Sequence, residues 1–250
     1  MFPYRDENKT ERTPVITFVF IGLNVLAWVL VQGAGARSPL VKSVCDLGLI
    51  PGELTLIAEP GASFEMGRGV FCSVGPGRQL SHVFTSMFLH GSWVHLLGNM
   101  WFFWIFGNNV EDSMGRARFA LFYLLSGIGA VAMQVGLGPG SVVPMVGASG
   151  AISGIMGAYV VLYPRVRVFT LVPIGFFLTT IALPAWVMLG YWMLLQLLGT
   201  LGAGDGGGVA FGAHLGGFIV GAVLVKLFAR SEYVAARQAN RWHPRRLGWR

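Results

Sequence analysis

Ser149 lies in the run Val146-Gly147-Ala148-Ser149-Gly150, just after Pro144, where a helix should begin. Glycines on both sides leave its hydroxyl accessible and let another backbone come close. A helix start also turns free N–H groups and a positive dipole end toward any oxyanion formed there. The second reactive type is histidine. His214 stands in Ala213-His214-Leu215-Gly216-Gly217-Phe218-Ile219-Val220-Gly221, so His214, Gly217 and Gly221 share one helical face. Gly150, Ser153, Gly154 and Gly157 offer a matching small face after Ser149. Two such faces can touch nearly backbone to backbone, which would bring His214 to Ser149 as a base to its nucleophile. His95 and Asn99, four apart, project from one face of a third helix. They could share one water-filled cavity with Ser149 and His214, with a plain interhelical hydrogen bond as the competing use. His90 and His95 are five apart, and no HExxH occurs, which argues against a zinc site on this helix. No metal or cofactor is expected.

The elements that must carry these groups are membrane helices. The 250 residues are 54% hydrophobic and only 12% charged, with mean hydropathy +0.63, which excludes an ordinary soluble domain. No Asp, Glu, Lys or Arg occurs in 13–36, 79–110, 119–164, 168–204 or 206–225. A span needs roughly 20 apolar residues, so the third stretch holds two spans and the total is six. The expected spans are Pro14 to Gln32, Val83 to Gly107, Arg118 to Leu137, Gly147 to Tyr163, Leu183 to Leu201 and Ala210 to Ala229. The fold class is therefore an all-α polytopic membrane protein. Its organisation is a cytoplasmic segment 1–13, a six-helix domain 14–229 with an outer loop 33–80, and a basic cytoplasmic tail 230–250. The first helix is too long for a signal-peptide core and reads as retained.

Net charge is +7, but its placement speaks for a membrane rather than nucleic acid. With the N-terminus inside, 14 of the 18 basic residues fall on inner segments and only Arg37, Lys42, Arg68 and Arg78 outside, which puts both termini in the cytoplasm. The tail then meets anionic headgroups. Cys45 and Cys72 both fall in the outer loop, where a disulfide and two free thiols are equally open. The loop around Asp205 is a candidate lid.

Polar groups inside spans are costly and mark function. Besides the residues above, they are His82, Gln134, Ser153 and Gln196. Counted to the inner helix ends at about 1.5 Å per residue, Ser149 lies about 21 Å deep, His214 and Asn99 about 18 Å and His95 about 24 Å. Three helices thus bring their reactive groups to one level. No carboxylate stands at that level, so the chemistry is that of a Ser-His dyad.

Taken in order, His90-Gly-Ser-Trp-Val-His95-Leu-Leu-Gly-Asn99, Gly147-Ala-Ser149-Gly150 and Ala213-His214-Leu-Gly-Gly217-Phe-Ile-Val-Gly221 resemble the rhomboid family of intramembrane serine proteases, bacterial type. The resemblance covers roughly residues 13–229 and implies the six-helix rhomboid fold. It implies Ser149 as nucleophile, His214 as general base, and an oxyanion hole of the Ser149 N–H, His95 and Asn99. His90, Gly147, Gly150, Gly217 and Gly221 would be supporting residues. The partners implied are transmembrane protein substrates and the lipid bilayer, in a bacterial inner membrane; oligomeric state stays open. An inactive rhomboid-like protein that binds membrane clients is the alternative. Two departures are visible: Ser81-His82 stands where many members have Trp-Arg, and Ser153 where some have a Tyr stacked on the catalytic histidine.

Overall fold

A computed structural model describes residues 2–67, 69–175, 177–202 and 210–235. The expected lid around Asp205 and the tail beyond residue 235 lie outside the described residues, as does Arg68. The chain is mostly helical. Among the described residues, three helices are long and apolar enough to cross a membrane: α6 (Arg116–Leu137), α8 (Ala185–Gly202) and α9 (Phe211–Phe228). Two shorter apolar helical stretches stand beside them. One is Val15–Val31, made of α1 (Val15–Leu26) and a π-helical turn (Ala27–Val31), and the other is α7 (Ser149–Leu162).

The second expected span is corrected at both ends. A short helix α4 (His82–Thr85) and a 3-10 turn (Ser86–Phe88) come first, and the long helix α5 runs over Trp93–Met114. His90 therefore sits in the turn before α5 rather than within a span. The break has a local cause: Ser92 is extended, and its Oγ accepts the His95 N–H at 3.1 Å as an N-cap. The far end overruns Gly107 because its acids are not at a surface. Glu111 is buried and its carboxylate accepts from Ile16 N (2.9 Å), Thr17 N (2.8 Å) and Thr17 Oγ (2.8 Å). It thus satisfies the open first turn of α1, which Pro14 cannot cap. Asp112, also buried, accepts from Glu11 N at 2.9 Å.

All-α is corrected as well. Strand β1 (Phe2–Asp6) pairs antiparallel with β4 (Arg167–Ile174), which pairs antiparallel with β5 (Phe177–Pro184). The hairpin occupies sequence that carries no charge after Arg167, so its composition resembles a span although its structure is a sheet. The outer loop contains α2 (Arg37–Leu47), α3 (Pro51–Thr55) and a hairpin of β2 (Ser63–Glu65) with β3 (Phe71–Ser73). Of the two possibilities for its cysteines, the bonded one is found: Cys45 is joined to Cys72. Leu49 and Ile50 are buried in the protein, and Leu49 exchanges both backbone hydrogen bonds with Met145 (3.0 and 2.8 Å). This pins the approach to α7.

The core sits mainly in the half of the bundle beyond Asn99. Phe103, Phe106, Phe119, Phe122 and Tyr123 are fully buried, and Phe20 stacks on Tyr123 at 4.4 Å. Trp101 and Trp104, on the other face of α5, are exposed. The bulky run that follows Asn99 thus serves core and surface alternately.

Candidate active site

Ser149 is the first residue of α7 and His214 stands in the first turn of α9. The helices meet as their glycines predict. A side chain on Gly217 would land on the carbonyl oxygen of Gly150, and one on Gly221 on that of Gly154. Gly157 lies equally against the Phe218 carbonyl. Backbone contact along this seam sets the distance between the first turns, and His214 Nε2 comes to 2.7 Å from Ser149 Oγ. Gly150 is closed on its other side by Ala130 of α6. Gln134, also on α6, accepts the Ala213 N–H at 3.1 Å through Oε1 and fixes the start of α9.

Gly147 has φ +131°, a conformation that favours glycine, and donates its N–H to the Ser86 carbonyl at 2.9 Å. A Cβ here would stand 2.8 Å from His95 Nε2 and 3.4 Å from Ser149 Oγ. The imidazole edge and the hydroxyl therefore border one small space. His95 Nδ1 accepts from Gly91 N at 3.3 Å, so its proton in the neutral ring belongs on Nε2, the atom beside that space. Asn99, one turn on, is buried, and its Nδ2 has no partner among the described residues. A cavity of about 20 Å³ behind Ser149, bordered by Ser86, Gly127 and Ala130, has room for about one water.

His90 is fully buried with its ring edge-on to His95 at 5.1 Å. Its backbone is clamped by Gln32, whose Nε2 donates to the His90 carbonyl and whose Oε1 accepts the His90 N–H, both at 2.8 Å. His90 thus touches His95 rather than Ser149 or His214. His82 is buried on α4 and is not brought to Ser149 by any hydrogen bond. Ser153 donates back to the Ser149 carbonyl at 2.6 Å.

Sequence reasoning counted Gln196 as a costly polar group and assigned it no place, and it passed over Trp192. Both lie on α8 and both face His214. Gln196 Oε1 is 2.7 Å from His214 Nδ1, and the Trp192 ring lies 5.8 Å from the imidazole at 38°. They hold the ring where Ser153 offers no aromatic side chain. The four-residue spacing of a Trp and a Gln on an otherwise apolar helix was the available signal. The larger cavity of about 290 Å³ is elsewhere, lined by Arg12, Glu111, Arg116, Arg230 and Tyr233, and takes no part in this site.

The Rhomboid domain family matches residues 77–231, well over half of the chain, including Ser149, His214, His95, Asn99, Trp192 and Gln196. Rhomboid protease GluP of Bacillus subtilis is 31% identical over 169 residues, which cover 64% of this chain and 28% of that protein. Rhomboid protein 1, mitochondrial, of Saccharomyces cerevisiae is 27% identical over 171 residues, 64% of this chain and 46% of its own. RHOMBOID-like protein 6, mitochondrial, of Arabidopsis thaliana is 39% identical over 82 residues, 33% of this chain and 26% of its own. The matched regions span from a quarter to under half of these relatives' length. Since two of the three are named as mitochondrial, they lend no support to a bacterial inner membrane in particular. The chain is an integral membrane protein, and with the matched domain extending from the outer loop through α9 it belongs to the rhomboid family.

Proposed function

We propose that the protein is an intramembrane serine endopeptidase that hydrolyses a peptide bond in or beside the transmembrane segment of another membrane protein. The observation that carries this reading is the 2.7 Å approach of His214 Nε2 to Ser149 Oγ across a seam closed by glycine. Ser149 Oγ attacks the substrate carbonyl while Nε2 takes its proton. The oxyanion is held by the open N–H groups at the start of α7, by His95 Nε2–H and by Asn99 Nδ2–H. His214 then protonates the leaving amine, and water, activated by the same Nε2, releases the acyl group as a carboxylic acid. Asn99 supports this reading because a buried amide donor without a partner is costly in the resting protein. The alternative of an inactive client-binding protein has no use for a nucleophile and base so arranged.

Six spans with both termini on the cytoplasmic side complete the proposal. Val15–Val31, α5 and α7 join the three longer apolar helices, and the polar site opens to the face that carries the outer loop. Substrates with small or helix-breaking residues near that membrane edge fit best, because hydrolysis requires a locally unwound backbone.

The test uses detergent-solubilised protein with a fluorophosphonate probe and a reporter transmembrane substrate. The unmodified protein should label and cleave. Ser149→Ala should do neither, and His214→Ala should lose cleavage while both variants stay folded. Turnover retained by Ser149→Ala would reject the assignment.

A further inference from the structure

The Ser149–His214 reading leaves one requirement unassigned. A neutral imidazole has one N–H and one lone pair, and it can accept the serine proton through Nε2 only if the hydrogen sits on Nδ1. In soluble serine triads a carboxylate at Nδ1 fixes that tautomer, and replacing it by an amide that presents the wrong face costs about 10⁴-fold in rate. Here the group at Nδ1 is the side-chain oxygen of Gln196, at 2.7 Å. An oxygen can only accept, so Nδ1 must donate, and Nε2 is left bare toward Ser149 Oγ, also at 2.7 Å.

We propose that Gln196 is the positioning residue of the pair: its amide oxygen holds His214 in the tautomer that can act as base. This rests on the dyad reading and extends it by a third member. Three further observations agree. The side chains of α8 are apolar on nearly every turn, so an amide in their midst is retained at a cost. The other small polar group of that stretch, Thr200, spends its hydroxyl on the carbonyl of Gln196 within the same helix, at 2.9 Å. Trp192, one turn before Gln196, lies against the same imidazole and limits its rotation. A neutral acceptor also suits the surroundings, where an ionised carboxylate would have to be stripped of water.

A merely structural bond between α8 and α9 would move stability and nothing else, so the test reads the tautomer directly. The full chain is labelled with ¹⁵N-histidine, and the His214 signals are assigned by their loss in His214→Ala. The expected spectrum has a pyrrole-type Nδ1 and a pyridine-type Nε2. Gln196→Met, similar in length but without the acceptor, should lose that single pattern and lower kcat about 10-fold, with KM within about twofold, the size of one neutral hydrogen bond read as a rate. Gln196→Glu keeps an acceptor oxygen in either protonation state and should recover most of the loss. A pyridine-type Nδ1 in the unmodified protein would overturn the proposal. So would an unchanged tautomer pattern and kcat in Gln196→Met. If Gln196→Met fails to fold, the unmodified spectrum and Gln196→Glu decide. Turnover that survives Ser149→Ala would sink the dyad instead, and the tautomer, read without turnover, would still judge Gln196.

Discussion

The seam between α7 and α9 and the contact between α8 and α9 hold the same histidine by opposite means. Along the seam, Gly150, Gly154 and Gly157 meet Gly217, Gly221 and the Phe218 carbonyl, so backbone rests on backbone and nothing can rotate. Against α8, the histidine meets only the tips of Trp192 and Gln196, while Leu194, Leu195, Leu198 and Leu201 of that helix are exposed. The distance from His214 to Ser149 is thus set by main chain, and the orientation of the ring by side chains. Distance tolerates no adjustment, whereas orientation can be tuned one substitution at a time.

That contrast can be broken most severely at the seam. Gly217→Val places a branched side chain on the Gly150 carbonyl, so cleavage should be abolished and stability should fall by at least the roughly 1–3 kcal/mol of an overpacked core. Thermal unfolding in detergent and substrate cleavage check both, and a variant that cleaves normally would show that the seam does not set the distance. Next in size are His95→Ala and Asn99→Ala. Each should lower kcat about 10²- to 10³-fold, the usual loss of one oxyanion donor, with Tm nearly unchanged. A normal rate with a much lower Tm would make the pair a structural hydrogen bond.

On the α8 side, Trp192→Ala should cost less, about 10-fold in kcat, because Gln196 still holds Nδ1. Combined with Gln196→Met, it should cost more than the two losses multiplied if both restrain one ring, and a double-mutant cycle measures this. The smallest effect on catalysis is expected farthest away. Replacing Cys45 and Cys72 together by Ser removes a link across 27 residues and should lower stability by up to about 3–4 kcal/mol. The kcat of the folded protein should remain close to normal. A large fall in kcat would mean that the outer loop, through Leu49 and Met145, reaches the dyad after all.

The meeting of Ser149 with His214 and of Gly147 with His95 was more legible in the sequence than the frame around it. Ser149, His214, His95 and Asn99 stood out because polar side chains are rare in apolar helices, and the glycine spacing on two of the helices gave the face on which Ser149 and His214 meet. Gln196 was visible as a costly amide, but its partner depends on how α8 leans on α9, which no local pattern records. The strands of 167–184 were hidden because a charge-free apolar stretch reads alike whether it ends as helix or sheet. The true start of α5 turned on Ser92, whose capping role shows only once its own backbone is extended. Glu111 and Asp112 lie beyond Gly107, the expected end of the second span. They are buried because main-chain donors near the start of α1 take the place of water.

That last arrangement also orders events during synthesis. The first turn of α1 has its donors open until Glu111 arrives, 94 to 95 positions later in the chain. Similarly, β1 finds its pairing partner only when Arg167–Ile174 has been made. A nascent chain halted before residue 111 would therefore leave the first turn of α1 without this acceptor. Glu111→Gln, with one acceptor oxygen where there were two, would leave part of that turn open in the finished protein.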